Sequence, residues 1–256
     1  MYNILIGIGI FLQSLNISAS PAHSVSQPII VEPIIVEVNI KKKNETKKKL
    51  CDIPAFSRFS KREKIIIDKA LRDIPCSLVQ GLLQVKRFSN PNRPRALSSA
   101  TALYLRDDFF SLPEAEEVLL HELAHIIDLS GIHSKNYKTP STFTDGNAII
   151  FADDPSVRFY SISWKNNRER KKGVRETDFI TGYAATDPFE DFAESLVMYK
   201  KHGSTFRALA QHFPALQKKY DFIKTEVFHG KEFVGGDIPT NIYAREWDST
   251  KIVEKK

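Results

Sequence analysis

The sequence predicts an α+β fold in which a small mixed sheet with an edge strand is followed by two helices that carry polar residues on their apolar faces. The composition, 42% hydrophobic and 27% charged over 256 residues, is typical of one medium-sized globular domain with tails. Strand-like runs at 80–88 and 100–106 precede two stretches, around residues 118–129 and 188–197, in which apolar residues recur at helical spacing. The folded domain is predicted to cover residues 51–234, followed by a polar C-terminal tail at 235–256.

The first 50 residues are predicted to precede this domain. Residues 1–24 combine an apolar run at 4–12 with small residues after it, which indicates a signal peptide. No Lys or Arg precedes the run, so an uncleaved anchor or a buried strand is the alternative. Nine residues are too few to span a bilayer. We therefore expect a secreted or extracytoplasmic protein with no membrane insertion after signal cleavage, and an extended Pro/Lys-rich spacer at 25–50.

Both cysteines of the chain lie near the start of the predicted domain. An even pair in an exported protein predicts a disulfide between Cys51 and Cys76. Two free thiols, or Cys51 acting as an inhibitory thiolate on a metal, are the alternatives. Between the cysteines, Ser60 and Glu63 have the spacing of a capping box, so a helix is expected to begin there.

Two strand-like runs follow, at residues 80–88 and 100–106. The sequence Asn-Pro-Asn-Arg-Pro at 90–94 separates them, which predicts a hairpin. In the second run Leu103 and Leu105 alternate with larger polar or aromatic side chains, so one face of the strand is expected to be buried. This strand either offers a free edge to an extended peptide or lies inside the sheet.

The most informative stretch is the HExxH motif at residues 121–125, within an apolar run at 118–129. Residues four apart lie on one face of a helix, so His121 and His125 can bind one metal ion while Glu122 faces the same opening. Zinc bound by two histidines and a carboxylate leaves a fourth position for water and lowers the pKa of that water to about 7. Glu122 would then take the proton, which makes this the predicted active-site helix.

The flanking residues predict where this helix begins and ends. Ser111 and Glu114 have capping-box spacing, and Gly131 is the predicted stop. Asp128 lies on the histidine face in the last turn, where the helix dipole disfavours a carboxylate. It is either solvated or paired with a partner in the site.

Residues 132–180 are predicted to be irregular, because Pro140, Gly146 and Pro155 interrupt them. A long connection of this kind is often a lid or a specificity loop. The alternative is an insertion that only packs on the surface.

A second helix is predicted to begin after Asp187, a good N-cap, with Pro188 at its first position. At about 100° per residue, Glu190 lies at the border of the apolar stripe and Asp191 points away from it. Glu190 is therefore the carboxylate best placed to face inward, and Glu194, one turn later, can support it. Alternatively, Asp187 and Glu190 have the spacing of a capping box, which would explain the presence of Glu190 without a metal.

The remaining segments carry no predicted chemistry. One helical run is expected at 204–228, and the tail after it is polar with scattered aromatics. The net charge is +6, and the basic clusters at 41–49 and 168–172 lack interleaved aromatics or a recognition motif. We therefore predict no nucleic-acid partner.

Taken together, the two helices resemble those of the gluzincin metallopeptidases, in particular the group around the catalytic domain of anthrax toxin lethal factor and the secreted Pro-Pro endopeptidases. The resemblance rests on the sequence HELAHIID at 121–128. It rests further on Tyr183 followed by Glu-Asp-Phe-Ala-Glu at 190–194. The joint pattern is far more specific than the HExxH motif alone.

The resemblance implies a zinc endopeptidase that acts on a peptide or protein substrate, with one Zn²⁺ per chain. Glu122 would be the general base, and Tyr183 would donate a hydrogen bond to the tetrahedral oxyanion. Asp128 and Glu194 would support the ligands. The implied ligands are His121, His125 and Glu190. Two alternatives stay open: a non-hydrolytic surface-binding module that retains a zinc site, and a toxin or effector peptidase with one dedicated host target.

Overall fold

The computed structural model describes residues 51–133 and 138–252, which combine helices with two small β-sheets. The α+β prediction is confirmed at this level. The predicted signal peptide and spacer lie outside the described residues. Among the helices in the described ranges, none has both the length and the apolar character of a membrane span.

The first helix, α1, spans Lys61–Leu71 and begins with the predicted capping box. Ser60 Oγ accepts a hydrogen bond from the Glu63 backbone N–H at 3.4 Å, and Glu63 Oε2 accepts one from the Ser60 N–H at 2.8 Å. The predicted disulfide between Cys51 and Cys76 is also confirmed. It joins the segment before α1 to the segment after it.

The first sheet is mixed, as predicted. Its strands are β1 (Gln84–Phe88), β2 (Ala96–Ser98) and β3 (Ala102–Arg106), in the order β1-β3-β2. β1 is parallel to β3, and β2 is antiparallel to it. The predicted hairpin between the two longer strands is therefore wrong, because the short strand β2 forms within their connection and makes the hairpin with β3.

The burial and the pairing of β3 test the two predictions made for this strand. Leu103 and Leu105 are fully buried, whereas Tyr104 and Arg106 are partly exposed, which confirms the predicted alternation. Both neighbouring positions of β3 are occupied by strands. The interpretation of β3 as a free edge is wrong, since β1 and β2 are the edge strands.

The second helix, α2, spans Ala115–Ile126 and contains the HExxH motif. The capping box predicted at Ser111 and Glu114 is wrong, because Ser111 ends a separate 3-10 turn and does not cap α2. The Glu114 carboxylate instead accepts a hydrogen bond from Arg95 Nη1 at 2.8 Å. Glu114 is therefore held by an ion pair with Arg95, a residue distant in sequence, and not by a capping box.

A π-helical turn, Ile127–Gly131, extends α2 to the predicted stop. A Cβ atom at Gly131 would lie 2.3 Å from the Leu78 carbonyl oxygen, so a side chain cannot be accommodated there. Glycine is required at this position because the Leu78 backbone packs too closely on it for any side chain.

The segment at 132–180 is more regular than predicted. β4 (Pro140–Asp145) and β5 (Ala148–Phe151) form a two-stranded antiparallel sheet, and α3 spans Pro155–Ser163. The two prolines that suggested irregularity begin β4 and α3. Gly146, with φ of 56°, makes the turn between the strands.

The last three helices are α4 (Pro188–Lys201), α5 (Gly203–Ala210) and α6 (Pro214–Phe222), and a π-helical turn at Ile223–Val227 extends α6. The single run predicted at 204–228 is wrong, because a proline inside a helix removes a backbone donor and starts a new helix here. α4 packs against α2, α3, α5 and α6. It therefore has two buried faces, and the face toward α2 carries the candidate site.

Candidate metal centre

Three predicted ligands from two helices converge between α2 and α4. His121 Nε2 lies 3.2 Å from His125 Nε2 and 3.0 Å from Glu190 Oε2. His125 Nε2 lies 3.6 Å from Glu190 Oε2. These three side chains can hold a metal ion. No other group of three such side chains converges in this way among residues 51–133 and 138–252.

The spacing of the three atoms fits a tetrahedral ion. Ligand atoms at about 2.0–2.1 Å from zinc are roughly 3.3 Å apart in that geometry. The observed separations of 3.0, 3.2 and 3.6 Å bracket this value. The side chains of His125 and Glu190 are 13% and 18% exposed, so the cluster is open to solvent on one side. Two imidazoles and one carboxylate with an open fourth position are a donor set suited to zinc.

The first turn of α4 delivers Glu190 to this cluster. Asp187 is the N-cap, and its Oδ1 accepts hydrogen bonds from the backbone N–H groups of Phe189 and Glu190. The Glu190 carboxylate contacts His121 and the hydroxyl of Tyr183, so it is engaged with the cluster and not with its own helix end. Burial alone would raise the pKa of Glu190, but hydrogen bonding to the two histidines outweighs it and lowers that pKa.

Glu194, one turn later on α4, orients the ring of His121. Glu194 Oε1 lies 3.0 Å from His121 Nδ1, and the Glu194 side chain is fully buried. When Nδ1 carries the proton and donates it to this carboxylate, the lone pair of Nε2 faces the cluster, as metal ligation requires. The supporting role predicted for Glu194 requires a contact of this kind, and that role stays a prediction.

The electrostatic field at His121 favours a cation. Burial disfavours the charged imidazole, but hydrogen bonds to Glu190 and Glu194 overcome that effect and raise the pKa of His121 well above its ordinary value. The same carboxylates would stabilise a bound metal cation. The site is thus acidic in character although it contains two histidines.

Glu122, the predicted base, is buried beside the cluster. Ser98 Oγ, on the edge strand β2, donates a hydrogen bond to Glu122 Oε2 at 2.6 Å. This contact fixes the carboxylate and places β2 next to the candidate centre.

Tyr183 lies on the other side, in a 3-10 turn that precedes α4. Its hydroxyl donates a hydrogen bond to Glu190 Oε1 at 3.1 Å, and its ring lies nearly parallel to that of His121, with centroids 6.0 Å apart. Burial and the neighbouring Glu190 carboxylate raise the pKa of Tyr183, so the hydroxyl keeps its proton at neutral pH.

Asp128 is buried, so the solvated alternative is wrong. Its Oδ2 accepts a hydrogen bond from the Tyr160 hydroxyl of α3 at 2.5 Å, and burial raises its pKa to about 7. The partner of Asp128 therefore comes from the segment at 132–180, and the contact ties that segment to the end of the HExxH helix.

Asp191 points away from the cluster, as predicted, but it is not exposed. Its carboxylate is fully buried and pairs with Lys219 Nζ at 2.7 Å, and Trp164 Nε1 donates to Oδ2 at 3.0 Å. The buried pair makes Asp191 important for stability, because α3 and α6 cover this face of α4.

Three hydroxyl residues that hold the carboxylates of Glu122 and Glu194 were not predicted from the sequence. Ser98 binds Glu122, while Thr181 and Ser249 bind Glu194 at 2.7 and 2.8 Å. Ser249 lies in the tail, where no chemistry was predicted. Each is an isolated Ser or Thr with no spacing relation to the motifs, so the sequence contains no signal that would have identified it.

Comparison of the chain with protein-family models, with curated protein sequences and with solved structures finds no match in any of the three. The geometry of the site is therefore the basis for a functional conclusion.

Proposed function

We propose that this chain is an exported zinc endopeptidase that hydrolyses peptide bonds in a peptide or protein substrate. The observation that carries the proposal is the convergence of His121, His125 and Glu190 at tetrahedral spacing, open to solvent on one side. A structural zinc site usually has four protein ligands, whereas a catalytic site keeps one position open. Three ligands with a solvent opening favour the catalytic class.

The neighbouring side chains have the chemistry that hydrolysis needs. When bound, zinc would polarise the substrate carbonyl and acidify a water molecule. Glu122, held by Ser98, would take the proton of the attacking water and pass it to the leaving amine. The Tyr183 hydroxyl would donate a hydrogen bond to the oxyanion that develops on the carbonyl oxygen.

The edge strand β2 supports a peptide as the substrate. β2 forms one edge of the mixed sheet, and Ser98 within it contacts Glu122. An extended peptide added along β2 would receive backbone hydrogen bonds and pass the proposed base. We therefore propose that β2, and not β3, is the strand that binds the substrate.

Unbiased peptide-library cleavage tests the hydrolytic proposal. Wild-type protein supplied with zinc is expected to produce new amino termini, while Glu122→Gln is expected to produce none although it keeps all three ligands. Equal products from both proteins would point to a contaminating protease and contradict the proposal. A zinc-loaded wild type without products would favour the surface-binding module.

Export has separate support and a separate test. The apolar run at 4–12 and the Cys51–Cys76 disulfide both fit an oxidising compartment. Amino-terminal sequencing of protein recovered outside the cytoplasm should find a mature chain that begins after the apolar run. A full-length chain found only in the cytoplasm would contradict export.

A further inference from the structure

The C-terminal segment at 246–250, here called the clasp, contacts Glu194 and the turn that carries Tyr183. Ser249 donates two hydrogen bonds to Glu194, from its backbone N to Oε2 and from Oγ to Oε1, both at 2.8 Å. Thr181 Oγ1 and His121 Nδ1 are the other groups that contact this carboxylate. Ser249 thus supplies half of the four contacts that the structure gives to Glu194.

The clasp also holds the turn that carries Tyr183. The backbone N–H of Gly182 donates to the carbonyl oxygen of Glu246 at 2.9 Å, and that of Tyr183 donates to the carbonyl oxygen of Trp247 at 2.7 Å. The Trp247 ring packs directly on Gly182, where an added Cβ atom would lie 2.5 Å from ring atom Cε3. The turn and the clasp therefore behave as a paired unit.

Arg95 anchors the clasp from the opposite side. Its Nη2 lies 3.1 Å from Asp248 Oδ2 and 3.3 Å from Thr250 Oγ1, while Nη1 binds Glu114 Oε1 at 2.8 Å. Arg95 directly precedes β2, and Glu114 directly precedes α2. The clasp is consequently fixed to the start of the two elements that carry Ser98 and the histidines.

We infer that Ser249 is a positioning residue of the metal centre: it holds the Glu194 carboxylate in the orientation that fixes His121 for metal binding. The inference rests on the proposed metal site. The Ser249 hydroxyl donates to Oε1, the same oxygen that contacts His121 Nδ1. Its loss would leave the imidazole as the one remaining contact of Oε1 among the described residues, so that the oxygen orienting the ring is held less firmly. Ser249 acts at one remove, through Glu194 and His121, and touches no substrate.

Zinc affinity of Ser249→Ala, measured by competition with a chromophoric chelator, tests this role. Changes to groups that orient metal ligands typically weaken metal binding by 10- to 100-fold, and one hydroxyl of four contacts should give about a tenfold loss. Ser163→Ala is the matched control, because Ser163 is equally buried and its Oγ has no hydrogen-bond partner among the described residues. The control should bind zinc as the wild type does.

A Glu194→Ala background separates positioning from general destabilisation. If Ser249 acts through Glu194, removing its hydroxyl in that background should change zinc affinity less than twofold, since coupled residues are not additive. A tenfold loss there would overturn the inference, as would equal zinc affinities for Ser249→Ala and Ser163→Ala. Either result leaves the proposed metal site intact, whereas a wild type that binds no zinc would refute both.

Discussion

Helix α4 carries two buried charged clusters on different faces, and they differ in which groups face their carboxylates. The ion-pair cluster consists of Asp191, Lys219 and Trp164, and both charged side chains are 0% exposed. Lys219 Nζ donates to Asp191 Oδ1 and to the Asp178 carbonyl oxygen, and it lies 2.7 Å from Asp191 Oδ2 and 4.2 Å from the centre of the Phe179 ring. The ammonium therefore has its counter-ion and further partners on this face.

The metal cluster consists of His121, His125, Glu190 and Glu194. It places two carboxylates against two imidazoles, and Glu122 lies beside them. Within the described residues, no Lys or Arg forms an ion pair with these carboxylates. One side is open to solvent. Burial of charge therefore does not by itself identify a functional site. The feature that favours a metal site is a group of carboxylates around histidines with no Lys or Arg partner among the described residues.

Asp191→Ala should give the largest effect on folding. It leaves Lys219 buried without its counter-ion, and breaking a buried pair from one side typically costs about 3–5 kcal/mol in the free energy of unfolding. Urea denaturation measures this loss, while zinc bound per folded chain should not change. Asp191→Ala combined with Lys219→Met is the control and should regain most of the stability. A loss of less than about 1 kcal/mol in the free energy of unfolding for Asp191→Ala alone would mean that water reaches the pair in the folded protein.

Tyr183→Phe should have the next largest effect, on turnover. It removes only the hydroxyl, and loss of one oxyanion donor typically lowers kcat by about 10² to 10³, or roughly 3 to 4 kcal/mol. Steady-state kinetics on a cleaved library peptide at saturating zinc should show this with KM and thermal stability unchanged. Because the hydroxyl also donates to the proposed ligand Glu190, the kinetics are compared only when both proteins are fully loaded with zinc. Turnover close to that of the wild type would remove Tyr183 from the mechanism.

Glu194→Gln should have the smallest of the three effects, on zinc affinity. The amide keeps the shape of the side chain but loses the charge that orients His121 and stabilises the cation, so a 10- to 100-fold weaker affinity is expected. Chelator competition measures it. The free energy of unfolding should fall less in Glu194→Gln than in Asp191→Ala. A larger loss in Glu194→Gln would mean that the metal cluster contributes more to stability than the ion-pair cluster does.

The metal cluster could be predicted from sequence because its members follow local rules. Helical periodicity places His121 beside His125, and the Asp187 cap fixes the phase of Glu190 and Glu194. The buried state of Asp191 could not be predicted, since it depends on α3 and α6 covering the second face of α4. The prediction of strand pairing failed for the same reason, because the parallel pairing of β1 with β3 depends on contacts distant in sequence.

The hydroxyl groups show a further limit of sequence reasoning. Ser98, Thr181 and Ser249 come from three separate segments and meet the site carboxylates only in the folded chain. A single Ser or Thr has no periodicity that distinguishes it from a surface residue. Local motifs therefore identified the groups proposed to bind metal and move protons, while the groups that orient them required the structure.

Zinc content, measured by mass spectrometry on chains purified without added metal, tests the central claim most directly. The account predicts one zinc per chain in the wild type and in Glu122→Gln, because the proposed base is not a ligand. It predicts loss of zinc in Glu190→Ala and retention in the folded fraction of Asp191→Ala. A folded wild type without zinc, or equal zinc content in Glu190→Ala and wild type, would contradict it.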